Sequence, residues 1–403
     1  MRLPEGWEIK KLVQFATKQR NSFANGPFGS DLLTSEFTHS GVPVIYIRDI
    51  KNGRYQRKST VCITEQKADS LVACMTSYGD IIITKLGDPP CEAAIYTDKQ
   101  NAVITQDVIR IKTINIFTSY FLSYLINSDI GKRQVKRIKI DGTRERVSLT
   151  DFKNIKLPYP PLPEQQKIAQ ILSTWDKAIE KLEALIAAKQ KRKKALMQQL
   201  LTGKKRFAGF EGKWHPNFLG KVAEIVMGSS PKSEAYNEIG DGLPLLQGNA
   251  DIKNRLSAPR IYTSEITKTC SPSDILLSVR APVGSVARSL HKACIGRGMA
   301  SIKAKNGWSQ DFLYQWLLFF EQKWDRLSQG STFESVNSAD IKNLHIIFPE
   351  SLEEQQKIAT VLSAADKEIE IHQKQISVLK QQKKGLMQQL LTGKLRVKLD
   401  KES

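Results

Sequence analysis

Glu164-Gln-Gln-Lys-Ile-Ala169 and Leu196-Met-Gln-Gln-Leu-Leu-Thr-Gly-Lys204 lie near the middle of this 403-residue chain, and both recur, as residues 354–359 and 386–394. Both stretches recur at the same offset, so no insertion separates them, and 24 of the 41 aligned positions are identical. A repeat of this kind decides the architecture, because each copy is one structural unit. In the first copy Ile168, Ile171, Trp175, Ala178, Leu182 and Leu185 advance by steps of three and four residues. In the second, Ile358, Val361, Ala365, Ile369, Ile376 and Leu379 do nearly the same, interrupted by Glu368 and His372. That spacing is the 3.5-residue seam of a coiled coil. Pro163 suits a first helical position, and Ser351 with Glu354 predicts a capping box. Gly203 and Gly393, each after Leu-Leu-Thr, predict the stops. About forty residues at 1.5 Å rise gives roughly 60 Å per helix. A helix with a one-sided apolar stripe needs a partner, and the economical one is the other copy, packed antiparallel.

Outward from the helices the repeat survives only as a skeleton. Gly41-Val-Pro-Val-Ile pairs with Gly242-Leu-Pro-Leu-Leu, Gly79-Asp-Ile-Ile-Ile-Thr with Ser273-Asp-Ile-Leu-Leu-Ser, and Asp151-Phe-Lys-Asn-Ile with Asp340-Ile-Lys-Asn-Leu. Apolar runs at 42–47, 80–84, 103–111 and 274–279 predict strands, and 117–127 and 310–324 predict helices. The expected fold class is α+β: two globular modules, residues 1–160 and 207–350, and two long helices, residues 161–206 and 351–403. The helices form an antiparallel coiled coil with a pseudo-twofold internal repeat. Copies kept alike in their helices do one thing twice, for two copies of one partner. Copies kept alike only in their strands do two different things on one scaffold. The identities cluster at the helix ends, so Glu164, Gln165, Lys167, Gln198, Gln199, Glu354, Gln355, Lys357, Gln388 and Gln389 are expected to form two equivalent docking surfaces.

Lys plus Arg number 61 and Asp plus Glu 41, a net charge of +20. So large an excess points to a polyanion, most often nucleic acid. It is uneven: residues 1–163 carry +8, residues 164–206 +7, residues 207–352 +2 and residues 353–398 +4. The densest run is Lys132, Arg133, Lys136, Arg137, Lys139, Arg144 and Arg146, a helix end and loop suited to phosphate contacts. Its counterpart in the second module, Gln329-Gly-Ser-Thr, is uncharged, and Ser331 and Thr332 suit hydrogen bonds to bases or phosphates. Polar side chains leaving strand ends are the candidate base contacts: Tyr46, Arg48 and Asp49 in the first module, Gln247, Asn249 and Arg280 in the second. Arg297, between two glycines, presents a side chain at a loop. The Lys189–Lys194 run includes seam positions, so the coil either loosens there or faces acidic groups, and the run is expected to be a solvated face that also guides DNA.

No catalytic chemistry is legible. Gly87-Asp88-Pro89-Pro90-Cys91 resembles the Asp-Pro-Pro-Tyr motif of amino-methylating enzymes, but Cys91 replaces the aromatic ring and no glycine-rich cofactor loop precedes it. No Gly-Lys is followed by Ser or Thr, which excludes a P-loop. The five histidines show no metal-ligand spacing, so no metal site is expected. Five cysteines without a C-x-x-C pair, no apolar leader and no run of eighteen apolar residues suit a reducing cytoplasm.

The chain resembles the specificity (S) subunit of type I restriction–modification systems. The residues carrying the resemblance are Pro160-Pro-Leu-Pro-Glu-Gln-Gln-Lys-Ile-Ala, its repeat from Glu353, and both Leu-Met-Gln-Gln-Leu-Leu-Thr-Gly-Lys ends. The Gly-Val-Pro and Gly-Asp-Ile-Ile skeletons add to it, and it covers essentially the whole chain. It implies a non-catalytic subunit that binds double-stranded DNA, each module a target recognition domain reading half of an asymmetric, interrupted site. It implies two methylation (M) subunits as partners, with restriction (R) subunits in the full complex. S-adenosylmethionine, ATP and Mg belong on those partners, and no cofactor on this chain. DNA modules on one face of the duplex stand about one turn, roughly 34 Å, apart, which suggests about five to eight unread base pairs. Two alternatives from other classes are a free-standing DNA-binding regulator and a coiled-coil scaffold with no methylation partner.

Overall fold

The computed structural model describes residues 3–399 except 88, 143 and 329–334. It divides into two compact units, residues 1–183 with 375–403, and residues 184–374. Each unit therefore takes one module, the start of one long helix and the end of the other.

In the first unit the strands that frame the core include β1 (Phe23–Asn25), β2 (Val42–Ile45), β3 (Ile81–Thr84), β4 (Ala93–Ile95), β5 (Ala102–Ile104) and β6 (Val108–Ile111). Helices α1 (Ile116–Asn127) and α2 (Asp129–Ile138) follow, and then the start of the long helix α3 (Leu162–Leu200). β2 and β5 pair in parallel, Val44 beside Val103 and Ile45 beside Ile104. β1, β6, β3 and β4 form an antiparallel sheet. Both faces of β2, β3, β5 and β6 are buried, which is why these strands read as unbroken apolar runs. The second unit repeats the plan with β7 (Ala223–Met227), β8 (Leu243–Leu246), β9 (Ile275–Ser278), β10 (Ala293–Ile295) and β11 (Met299–Ala304), then α4 (Gln310–Ser328) and the start of α5 (Leu352–Leu391). β8 and β10 are again parallel, Leu245 beside Cys294, and β7, β11 and β9 are antiparallel neighbours.

The run expected as one strand over 103–111 is two strands. A turn at 105–107 sends β5 into one sheet and β6 into the other, and the second module turns likewise at 296–298. Thr105-Gln-Asp contains neither Gly nor Pro, so nothing in its composition marks the break.

The helix ends belong to the module cores. Ile168, Ala169, Leu172, Leu390 and Leu391 pack with Phe121, Leu125 and Phe152 in the first unit. Ile358, Ala359, Leu362, Met197, Leu200 and Leu201 pack with Phe312, Leu317 and Ile346 in the second. In each unit the start of one helix meets the end of the other, antiparallel as expected. The buried or half-buried seam is 168, 172, 175, 179, 182, 186, 189, 193, 196 and 200 in α3, and 358, 362, 365, 369, 372, 376, 379, 383, 386 and 390 in α5. The first seam thus differs from the expected one by a single step at alternate positions: Ala178 is exposed and Leu185 is 41 % exposed, while Ile179 is buried. Ile171 belongs to the surface facing the module, so apolar residues there span two interfaces and blur the period.

Lysines at seam positions meet carboxylates. Lys193 pairs with Asp366 and Lys189 with Glu368 at 2.5 Å in the second unit; Lys383 pairs with Asp176 at 2.6 Å in the first. The Lys189–Lys194 run divides: Lys189 and Lys193 face acidic groups, whereas Lys191, Arg192 and Lys194 form an exposed face. Asp176 also accepts from the Tyr124 hydroxyl (2.7 Å), and Asp366 from Gln315 Nε2 (2.9 Å), so each carboxylate ties the seam to its own module.

Both stops form where expected, with Gly203 at φ +70° and Gly393 at φ +69°. Their surroundings differ. A Cβ on Gly203 would sit 3.2 Å from the Trp214 ring, whereas one on Gly393 would sit 2.2 Å from Pro4 Cγ. Gly203→Ala is expected to cost about 1–2 kcal/mol for the left-handed backbone alone. Gly393→Ala is expected to cost more, because Pro4 must also move. Denaturant unfolding of the two variants against the parent checks the order.

Candidate nucleic-acid interface

At the C-terminal ends of each parallel strand pair, two loops approach one another on the same backbone frame. In the first module Thr105 N donates to Ile45 O (3.0 Å), Val108 N to Thr105 O (2.9 Å) and Lys85 N to Asp107 O (2.7 Å). In the second, Gly296 N donates to Leu246 O (2.8 Å), Met299 N to Gly296 O (3.0 Å) and Val279 N to Gly298 O (3.0 Å). Gly26 and Gly228 pack on these turns. A Cβ on either would lie 2.1 Å from a turn carbonyl oxygen, that of Thr105 or Gly296.

A buried aspartate braces the neighbouring loop in both modules. Asp49, 1 % exposed, accepts from the amides of Tyr46 (2.8 Å), Lys58 (2.7 Å) and Ser59 (2.8 Å). Asp251, also 1 % exposed, accepts from the Gln247 amide (2.7 Å) and Arg260 Nε (2.8 Å). The expectation that Asp49 contacts a base is thus corrected: its oxygens are buried and bonded to the chain's own backbone. Its neighbours remain at the surface. Arg48 is exposed, with its guanidinium 4.7 Å from the centre of the Tyr46 ring and Nη2 donating to Ser59 Oγ (3.2 Å). Partial burial pushes the Tyr46 phenol above its ordinary pKa, opposed by Arg48.

In the second module the four expected contacts converge. Gln247, Asn249, Arg280 and Arg297 line one cavity of about 220 Å³, with Ser230 and Ser278. Ser230 Oγ accepts from Arg297 N (3.1 Å) and Nε (3.3 Å), and Asn249 Nδ2 donates to Pro282 O (3.1 Å). A Cβ on Gly298 would lie 2.1 Å from the Gln247 carbonyl oxygen, so the two loops touch backbone to backbone. Four separate segments build this cavity, at strand ends and in the loops that follow them.

The basic run of the first module splits in two. Lys132, Arg133, Lys136 and Arg137 are exposed on α2, and the first three line a groove of about 400 Å³ with Gln388 of α5. Arg144 and Arg146 are exposed on a hairpin, where Arg146 bridges to Leu86, as Ser335 does to Arg280 in the second module. Lys139 is a correction: it pairs with Glu145 and, at 3.2 Å, with Asp141, and its hydrogen bond to Glu145 raises its pKa. It is occupied internally rather than held out for a phosphate. Ser331 and Thr332 lie outside the described residues.

The expected docking residues also divide. Glu164 and Glu354 are buried carboxylates, held respectively by Arg396 (2.5 and 3.0 Å) and Arg206 (2.7 and 2.8 Å). Trp7 Nε1 adds a bond to Glu164 (3.2 Å). The capping box is therefore half formed: Ser351 Oγ accepts from the Glu354 amide (3.2 Å), but the Glu354 carboxylate turns to Arg206. Gln165 and Gln355 are buried and donate to the carbonyls of Pro160 (2.8 Å) and Pro349 (2.9 Å). These four residues are identical between the copies because they pin the helix starts, which corrects their assignment to a docking surface. Gln198, Gln199, Lys357, Gln388 and Gln389 are exposed, and Lys167 is half-buried.

The Pro89-Pro90 loop lines a 470 Å³ cavity with Cys91, whose thiol is buried and pushed up in pKa by desolvation. A thiol so held is a poor nucleophile. No group of three His, Cys, Asp or Glu among the described residues is placed to hold a metal ion. No described helix is long and apolar enough to cross a membrane. Sequence reasoning misses Asp251 and Gln106, the exposed residue at the centre of the first module's turn. Aligning Thr105-Gln-Asp with Gly296-Arg-Gly through their flanking apolar strands is the signal that finds Gln106.

Residues 4–190 and 211–381 match the family model of the type I restriction modification DNA specificity domain. A protein of Methanocaldococcus jannaschii assigned as the specificity subunit of the type I restriction enzyme MjaX is 32 % identical over 98 % of this chain and 95 % of its own. The MjaVIII specificity subunit of the same organism is 24 % identical over 99 % of this chain and 95 % of its own. A chain in a solved structure concerned with complex assembly and conformational transition of the type I R-M system is 26 % identical, with a TM-score of 0.60 over 98 % of this chain and 100 % of that one. The S subunit of a type I system from M. genitalium has the same fold, with a TM-score of 0.64 at 16 % identity over 97 % and 98 % of the two chains.

Proposed function

Because the chain belongs to the family of type I restriction–modification specificity subunits, with two DNA recognition domains, we propose that each domain reads one half of an asymmetric DNA site interrupted by unread bases. The observation that carries this reading is one backbone frame bearing unlike side chains. The second module offers Arg280, Arg297, Gln247 and Asn249, and the first has Leu86, Gln106, Arg48 and Tyr46 around the matching loops. Direct readout depends on the donor and acceptor pattern presented to base edges, so unlike sets select unlike sequences. The chain itself is a non-catalytic reader. Two methylation subunits dock beside the exposed helix-end glutamines, Gln198 and Gln199 and their repeats Gln388 and Gln389, with Lys167 and Lys357 nearby. Those partners bring adenine-N6 methyl transfer from S-adenosylmethionine, and restriction subunits bring ATP- and Mg-dependent cleavage. Neither a free-standing regulator nor a bare scaffold draws support from the observations above.

Co-expression with the methylation subunits, followed by genome-wide mapping of modified sites, tests the reading. The expected result is a two-part motif with unlike halves. Exchanging residues 1–150 for another recognition module is expected to change one half only, and a change in both would refute the modular assignment. The exposed cluster Lys132, Arg133, Lys136, Arg137, Arg144 and Arg146 anchors phosphates. Each phosphate-bound cation replaced by Gln is expected to reduce the slope of log K against log salt by about 0.9. Changes confined to residues 207–352 are expected to flatten it less. Titrations of the complex on its target at several salt concentrations measure both slopes.

A further inference from the structure

We propose that the turn after the second parallel strand is the base-reading head of each module, with Arg297 pairing to a guanine and Gln106 to an adenine. This rests on the reading that the modules recognise half-sites, and deepens it to a residue and a base class.

The matched hydrogen bonds around the two turns place Gln106, between Thr105 and Asp107, at the position of Arg297, between Gly296 and Gly298. Both side chains are exposed, long and polar, on turns whose flanking strands are buried. The frame is shared and the tip differs, as expected of positions that distinguish two targets on one scaffold. The Arg297 backbone amide and Nε both bond Ser230 Oγ, so the side chain is tethered at its base. Its terminal nitrogens are left to form the fork that matches guanine O6 and N7. Gln106 makes no hydrogen bond to another described residue, so its carboxamide keeps the donor and acceptor that adenine N7 and N6 require. A phosphate anchor would call for a cation in both modules, and Gln106 carries no charge. Arg280 shares the Arg297 cavity, whereas its counterpart Leu86 has no polar group, so the first module reads fewer positions through this turn.

The test uses the full complex with its methylation subunits, mapping modified sites for Arg297→Gln, Arg297→Lys and Gln106→Arg. Arg297→Gln is expected to remove a guanine requirement at one position of one half-site, cutting discrimination there by roughly 5- to 150-fold, with the other half unchanged. Arg297→Lys keeps the charge but loses the fork, and is expected to relax the same position. Gln106→Arg is expected to shift one adenine of the opposite half toward guanine. An unchanged motif in the Arg297 and Gln106 variants overturns the inference. So does a uniform loss of modification in Arg297→Gln that Arg297→Lys restores, which is the signature of a phosphate contact. A parent complex that modifies no two-part site would instead overturn the half-site reading on which the inference rests. Competition binding of the purified complexes with duplexes varied at the two positions keeps the test decisive where a variant modifies poorly in cells.

Discussion

A buried carboxylate at the start of each long helix, closed by an arginine just past the end of the other, is the constraint on which the rest of this architecture depends. Glu164 with Arg396 and Glu354 with Arg206 are the same pair made twice, once in each unit. Removing a carboxylate from water costs several kcal/mol unless a well-placed partner and further hydrogen bonds satisfy it. Each buried glutamate therefore dictates where the far end of the other helix must lie. That requirement sets the stagger of the antiparallel pair within each unit, and the seam follows. Lys383 reaches Asp176 and Lys193 reaches Asp366, whereas a shifted stagger would leave half-buried cations and carboxylates unpaired. Asp176 and Asp366 in turn hold Tyr124 and Gln315, so the stagger is fixed to the module as well as to the neighbouring helix.

Both glutamates lie at the edge of a module's apolar core. Ile168 and Leu172, or Ile358 and Leu362, follow on the inner face and are buried with the module's own helices. The second unit is one contiguous stretch, whereas the first cut at residue 183 would lack part of its core, since Leu390 and Leu391 from the tail of the other helix, remote in the chain, complete it. The repeat is stronger in the helices than in the modules, and the packing of both helix ends into each core is a physical reason for it. The two copies differ inside this shared plan: Trp7 donates to Glu164, whereas the Trp214 indole nitrogen is buried without a partner among the described residues. An unpaired buried donor is costly, and close packing of the Trp214 ring on the Gly203 stop is what the second unit has in its place.

The helices are legible because 39 and 40 residues of sustained period leave little room for another structure, and their glycine stops carry a backbone signature. Charge is legible only as sums over segments. Lys189, Lys193, Lys383 and Lys139 count toward +20, yet each is paired with a carboxylate that only the fold identifies. Identity between the copies shows which residues matter without showing why. Glu164, Gln165, Glu354 and Gln355 are alike because they are inside, and Gln198, Gln199, Gln388 and Gln389 are alike while facing solvent. Strand-end polarity marks Gln247, Asn249 and Arg280, and the flanking glycines mark Arg297, as residues where the chain leaves the core, and all four line one cavity. Strand-end polarity fails at Gln106, where the strand does not visibly stop, and at Asp49, where the polar residue turns back inside.

The division between buried frame and exposed tip explains how one fold can hold two specificities in one chain. Asp49, Asp251, Gly26, Gly228 and Gly298 are fixed by contacts a substitution would break: buried backbone hydrogen bonds in the first two, carbonyl oxygens 2.1 Å from any added Cβ in the others. The exposed side chains of Gln106, Arg280 and Arg297 are tied to the frame by a single hydrogen bond among the described residues, from Arg297 Nε to Ser230 Oγ. Exposed substitutions of that kind usually change stability by no more than about 0.5 kcal/mol, whereas a bidentate base contact is worth about 1–3 kcal/mol of discrimination. On the proposed reading, the difference between those magnitudes allows the loop tips to diverge between modules while the loops beneath keep matching hydrogen bonds. It also places the cost of changing target on DNA binding rather than on folding, so the helices and their buried glutamates need not change when the sequence read does.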